Sequence, residues 1–278
     1  MRWYKRTVTA LLLLFLAAAA LLFSSCGETA PGNNAGAGNS GSVDGTEAAL
    51  ENDFSFLVCG DPHGRTDLLE KIVAQAREGE FLVIVGDITT GKGLAEMQMM
   101  KDFLDGTGIQ YHVIPGDNDM PGGDNSVFEA VFGTDHYSLD FQDSHLVFLN
   151  DAMQGVGCSD EQLAWLSEDV SGLKGERLLI GFSHVPPGAP VDMGRNGFQE
   201  GETESTGEML DILRQAGASA LYCGHIHAYM LYSSGPPRVV VTGGAGADPH
   251  LSEQSGGYYH FLRVTVKGSE VSEEVVRL

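Results

Sequence analysis

The stretch "FSFLVCGDPHGRTDLLEKIVAQARE" (residues 54–78) changes its hydrophobic period halfway along. "FSFLVC" is a short apolar run of the kind that forms a buried strand. From Asp67 to Glu78, Leu68, Leu69, Ile72, Val73 and Ala76 recur at helical spacing, with Asp67 and Glu70 placed as a capping pair. Between the two halves stands Gly60-Asp61-Pro62-His63-Gly64, a turn with two side chains able to bind metals or protons. Strand, charged turn and helix make the repeating unit of an α/β fold.

That unit recurs along the chain. "FLVIV" (81–85) precedes a helix carrying Leu94, Met97, Met100 and Leu104. "IQYHVI" (109–114) and "HLVFLN" (145–150) read as strands, and a helix starts at Ser159 with Gln162 three residues on. "RLLIGF" (177–182) leads into a long loop, and another helix begins near Ser205 with Glu208 as its capping partner. "SALYC" (219–223), "RVVVT" (238–242) and an alternating tail, residues 258–278, complete the strands. Short apolar strands between amphipathic helices predict layered sheets covered on both faces. The clustering of late strands predicts that the second sheet is the more antiparallel one, and the tail reads as a terminal hairpin.

The first fifty residues have a different character. Residues 1–26 begin with Arg2, Lys5 and Arg6, continue through an apolar run from Ala10 to Phe23, and end in Ser24, Ser25 and Cys26. This is the layout of an export signal, with an apolar run shorter than the ~20 residues a spanning helix needs. "LLFSSCG" resembles a bacterial lipoprotein signal, which implies that Cys26 becomes the lipidated first residue of the mature protein. Residues 27–52, rich in Gly, Asn, Ala and Ser, bury too little apolar surface to fold and read as a flexible tether. One folded domain is expected over residues 53–278. Its expected location is the outer side of the bacterial cytoplasmic membrane, in the periplasm or at the cell surface. The net charge of −22 opposes nucleic acid as a partner, since such binding rests on neutralising phosphates with Lys and Arg. Cys59 and Cys223 sit in apolar runs and read as buried thiols. An oxidising compartment permits one disulfide among Cys59, Cys158 and Cys223, with three pairings open.

The residues just past each strand carry the chemistry. After the apolar runs come, in order, Asp61 and His63, Asp87, Asp117, His184, and the pair His225 and His227. Five strands thus deliver Asp or His at their carboxyl ends, four of them directly after a glycine, and in open α/β sheets that edge is where ligands bind. Glycine there lets the backbone turn sharply. Alone, a Gly-Asp is a turn and a lone histidine a core or solvated residue. Seven such residues at one edge need a common cause, and a shared metal cluster supplies it.

"GDPHG", "GD", "PGDND", a lone His and "GHIH", in this order, resemble the calcineurin-like metallophosphoesterase family. The likeness covers about Phe54 to Gly246. It implies a two-sheet β-sandwich flanked by helices, in four αββα layers, with the metals at one sheet edge. It further implies that Asp61, His63 and His227 hold a first ion, that Asp117, His184 and His225 hold a second, and that Asp87 bridges. Mixed imidazole and carboxylate donors favour two divalent or trivalent ions, Mn, Fe or Zn. The implied activity is hydrolysis of small phosphate mono- or diesters by a two-metal-activated hydroxide, with Asp61, Asp87, His184 and the position of Asn118 as the catalytic set.

Three departures qualify the likeness. Asp117 stands where the family has Asn, Asn118 where it has the histidine that protonates the leaving group, and Thr90 where it has Asp. Asn118 has no proton to donate as an imidazolium does, which predicts slower turnover or good leaving groups. It also leaves open a function of another class, a metal-binding surface lipoprotein with weak or no catalysis. Asp119 is either a turn residue or a partner for the replaced histidine. His112 reads as core or sheet face. Of the remaining histidines only His250, in "GGAGADPH", is expected near the edge. Arg65 and Arg195 read as solvated cations first and phosphate contacts second.

Overall fold

The alternation of the first strand sorts its side chains into two cores. In β1 (Asp53–Cys59), Phe56 and Val58 join the apolar layer between two sheets, while Leu57 and Cys59 join a second layer beneath helices. The computed structural model describes residues 52–173, 177–188 and 204–278. The expected signal peptide, its Cys26, the tether up to residue 51, and Arg195 lie outside them.

The first sheet runs β11 (Glu270–Arg277), β10 (His260–Lys267), β1, β2 (Leu82–Val85), β3 (Tyr111–Ile114). The second runs β4 (Tyr137–Phe141), β5 (Ser144–Phe148), β6 (Leu178–Phe182), β7 (Ala220–Cys223), β9 (Arg238–Thr242), β8 (Tyr229–Ser233). Phe56, Phe81, Val83 and Ile114 from one side meet Phe148, Ile180, Phe182 and Tyr222 from the other. Aromatic stacking runs through this layer, with Phe148 on Phe182 at 4.8 Å between centroids. Outside the first sheet pack α1 (Thr66–Val73), α2 (Leu94–Thr107) and α3 (Ser126–Phe132); outside the second pack α4 (Asp160–Asp169) and α5 (Glu204–Ala216). The result is the expected four-layer αββα sandwich.

The antiparallel strands fall elsewhere than expected. β5, β6, β7 and β9 are parallel neighbours in the middle of the second sheet, with antiparallel strands only at its two edges. The tail does form a hairpin, but β10 pairs antiparallel with β1 and so extends the first sheet. Alternation specifies a hairpin without specifying which sheet edge it joins.

Two capping expectations also fail. Asp67 lies inside α1 and takes a two-pronged bond from Arg65, whose side chain makes no cap. Ser205 lies inside α5, where its hydroxyl donates to the Val156 carbonyl and accepts from the Cys158 amide. At α4 the reading holds, since Ser159 Oγ accepts from the Gln162 amide. Cys59, Cys158 and Cys223 are all free, buried thiols, so the permitted disulfide does not form. No helix among the described residues is long and apolar enough to cross a membrane.

Candidate metal centre

Five strand ends, from both sheets, meet at one edge of the sandwich. Asp61 and His63 follow β1, Asp87 follows β2, Asp117 follows β3, His184 follows β6, and His225 and His227 follow β7. They form two groups of potential ligands, Asp61–His63–Asp87–His227 and Asp117–His184–His225, with donor atoms in each group within 4.8 Å of one another. His63 Nε2 lies 3.0 Å from Asp87 Oδ2, and His227 Nε2 lies 3.4 Å from Asp61 Oδ1. Asp117 Oδ1 stands 3.1 Å from His184 Nε2 and 2.9 Å from His225 Nδ1. Asp87 faces both groups, because its Oδ1 also lies 3.5 Å from His184 Nε2.

The backbone that delivers these groups is unusual. Asp61, His63, Asp87 and His225 themselves adopt positive φ, of 59°, 46°, 51° and 64°, so the candidate ligand residues make the sharp turn. The preceding glycines serve mainly for close approach. A Cβ at Gly116 would collide with the Asp87 carboxylate, and one at Gly86 would collide with the His184 ring. Asp119 ties two of these turns together. Its buried carboxylate accepts from the amides of Ile88, Thr89 and Gly116 and from the Thr89 hydroxyl, so it is a structural turn residue. Burial and the nearby Asp87 push its pKa up to about 6.

Hydrogen bonds behind the site orient the imidazoles. His184 Nδ1 donates to the Val85 carbonyl at 2.9 Å, and His227 Nδ1 donates to the Asp248 carbonyl at 2.9 Å. Each bond fixes the ring and turns Nε2 toward the carboxylates, the orientation that metal-bound histidines use. Electrostatics point the same way. Burial alone would raise the Asp61 carboxyl, yet His227, His184 and His63 hold it below the usual range. Burial alone would lower His184, yet Asp87, Asp117 and Asp61 push it well up. Asp61 and Asp87 are 0% and 2% exposed, and buried carboxylates this close need cationic charge beside them. The residues present therefore fit a pair of cations.

Other sequence expectations sort plainly. Asn118 donates its amide N–H and its side chain to the two oxygens of Asp87, at 2.9 and 2.5 Å. Thr90 turns away to Glu96. His112 is half-buried on the sheet face, its ring against Phe81 and Phe148. His136, His145 and His260 bond to Asp135, to Asp140 and Asp169, and to the Tyr258 carbonyl, apart from both groups. His250 does reach the edge, stacked on His227 at 3.7 Å between centroids. Arg65, held by Asp67, is a surface ion pair.

Sequence reasoning missed Asp151, whose Oδ1 accepts from the amides of His184 and Val185 and so holds that turn. Its signal was present: "HLVFLND" ends a strand in Asn-Asp, but without the glycine that marked most of the other turns. The supporting carbonyls of Val85 and Asp248 had no signal, since every residue carries one.

A model of the calcineurin-like phosphoesterase family matches residues 54–229. A probable glycerophosphodiester phosphodiesterase of Arcobacter nitrofigilis is 26% identical over 157 residues, covering 53% of this chain. The chain spans 56% of that relative's length. Among solved structures, a dimetal phosphatase of Danio rerio superposes with a TM-score of 0.61 at 15% identity, covering 80% of this chain and 95% of its own. GAP50, the anchor in the inner membrane complex of Plasmodium, gives 0.59 at 12% identity, covering 81% and 84%. At these identities the structural likeness is one of fold.

Proposed function

The chain belongs to the calcineurin-like phosphoesterase family, and from that premise we propose that it hydrolyses phosphate mono- or diesters at a centre of two metal ions. The observation that carries this reading is the meeting of seven Asp and His side chains from five strand ends. In this reading Asp61, His63 and His227 hold one ion, Asp117, His184 and His225 hold the other, and Asp87 serves both. The donor set suits Mn, Fe or Zn. When bound, such a pair neutralises phosphoryl charge and acidifies water for in-line attack.

The chain's own residues set the rest. The Val85 and Asp248 carbonyls keep the Nε2 atoms of His184 and His227 turned inward. His184, fully buried and with Nδ1 spent on the Val85 carbonyl, would act through the ion that it and His225 hold. Asn118 is committed to both oxygens of Asp87, so it acts as a positioning residue. An amide has no proton to release at neutral pH, and general acid catalysis is typically a 10²–10⁴-fold effect. Aryl esters are therefore expected to turn over far faster than alkyl esters. The phosphodiesterase relative supports diesters among the substrates.

The test is hydrolysis of bis(4-nitrophenyl) phosphate and 4-nitrophenyl phosphate after manganese loading, beside Asp87→Asn. A loss of at least about 100-fold is expected for the variant, at or above what changes behind a metal's ligands give. Equal rates sink the proposal. Asn118 also favours a second reading, a surface metal-binding protein without turnover. Two ions per chain with no hydrolysis across a broad ester panel would select it.

We also propose that the chain is exported and held to the membrane by a lipid on Cys26, on the strength of residues 1–26. Palmitate labelling in a bacterial host should mark the protein and should vanish in Cys26→Ser. Equal labelling of the two removes the anchor.

A further inference from the structure

A sixth strand ends at this edge and contributes to neither ligand group. β9 stops at Thr242, and "GGAGADPH" (243–250) runs on past both flanks of the Asp61–His63–Asp87–His227 group. On one flank the Ala245 amide donates to the Gly60 carbonyl and the Ala247 amide to the Asp61 carbonyl. The approach is close, since a Cβ at Gly243 would strike both the Asp61 carboxylate and the Ile226 carbonyl. On the other flank the segment grips His227. The His227 ring donates from Nδ1 to the Asp248 carbonyl at 2.9 Å, and its backbone carbonyl accepts from the His250 amide at 3.1 Å. The His227 amide in turn donates to His250 Nδ1 at 3.3 Å, and the two imidazoles stack 3.7 Å apart at 21° from parallel. Ala245, Ala247 and Asp248 make these bonds with main-chain groups, whereas His250 also uses its ring.

We propose that His250 is a positioning residue for His227, through which residues 243–250 set the affinity of one ion independently of the other. This rests on the two-ion reading of the centre and adds to it a device that tunes the ion assigned to Asp61, His63 and His227. The physical reason is orientation. A side chain that serves a site must be held to within about 10–20° by the groups around it. The bond to the Asp248 carbonyl fixes one nitrogen of His227 but leaves the ring free to tilt about that bond. A second ring laid against its face stops the tilt, and the reciprocal bonds with His250 hold the backbone that carries it. His184, in the other group, needs no such cover. It is 0% exposed, with its ring on the Val85 carbonyl and its amide on Asp151. The His227 side chain is 12% exposed, so the His250 ring supplies the confinement that burial gives His184.

Manganese titration of the metal-free full chain, read by calorimetry and by electron paramagnetic resonance, tests this. Wild type should bind two ions and give the spectrum of a coupled pair. His250→Ala should weaken one ion about 10–100-fold, as changes behind a metal's ligands do, and leave the other within about twofold. Its spectrum should show isolated manganese at concentrations that fill only the tighter site. His250→Phe, which keeps the stacked face, and His250→Asn, which keeps an acceptor for the His227 amide, should each recover part of the loss. In a His227→Ala background His250→Ala should change nothing further, because its effect passes through that ring. An unchanged affinity in His250→Ala, a loss at both sites, or a loss that persists without His227 overturns the positioning role alone. A wild type that binds no manganese overturns the two-ion centre and this role with it. Should His250→Ala fail to fold, the His250→Phe and His250→Asn losses decide the question by the same two criteria, confinement to one ion and dependence on His227.

Discussion

Asp61, His63, Asp87 and His225 share a left-handed backbone with Gln142 alone among the described non-glycine residues. Each such residue costs on the order of 1–3 kcal/mol and persists only where its surroundings over-determine it. Here the surroundings are neighbouring turns: the Asp61 amide donates to the Gly86 carbonyl, the His63 amide to the Asp87 carbonyl, and the His225 amide to the Asp61 carboxylate. Asp and His were legible as candidate ligands because their side chains announce the chemistry. Their strained backbone was not legible, since it depends on contacts between turns far apart in sequence. Gly86 offers a test. Its φ is 86° and an added Cβ would strike the His184 ring, so Gly86→Ala should lower stability by at least about 2 kcal/mol in urea melts. The same variant should also lose one of the two ions expected per chain by elemental analysis. An unchanged melt with both ions retained would contradict the packing of His184 on this turn.

At the scale of elements, strong hydrophobic periods were readable and weak ones were not. β1, β2, β6, β7 and β9 are apolar runs and were found, with boundaries shifted by one to a few residues at most. α3, β4 and β8 were missed. α3 spans only Ser126–Phe132, and β4 and β8 are half-exposed edge strands whose alternation is blurred. A polar network holds this region to the site. Asp135, just before β4, accepts from Asn125 beside α3, from His136, and from Asn150, which immediately precedes Asp151. Burial opposes the Asp135 charge, but His136, Asn150 and Asn125 lower its pKa from 3.8 to about 2. A folded-state value below the unfolded one means stability that is complete above about pH 4 and is lost as pH falls toward 2. Asp135→Asn should therefore cost about 2 kcal/mol at pH 7, with the gap closing as pH approaches 2. A gap that stays constant with pH would mean that shape at this site matters and charge does not.

At the scale of the whole molecule, 38 acidic residues against 16 basic ones set a negative field, and the site concentrates it at two buried carboxylates. Cations that bind only the folded state stabilise it by about 2.7 kcal/mol at a hundred times Kd. Chelation should accordingly lower the melting temperature, manganese should restore it in proportion to its logarithm, and Asp87→Asn should blunt the response. A midpoint indifferent to both chelator and metal would rule out the pair of cations. By itself the sequence determined the strands and helices of strong hydrophobic period and the identity of the seven clustered side chains. Both are local properties, the first of hydrophobic period and the second of side-chain chemistry placed just past a strand. Tertiary structure alone decided that the tail hairpin extends the first sheet, that two carbonyls orient His184 and His227, that Asn118 grips Asp87, and that His250 stacks on His227. Each of these depends on which distant segments meet in space, and main-chain groups, being the same in every residue, leave no trace in the sequence of the partner they will find.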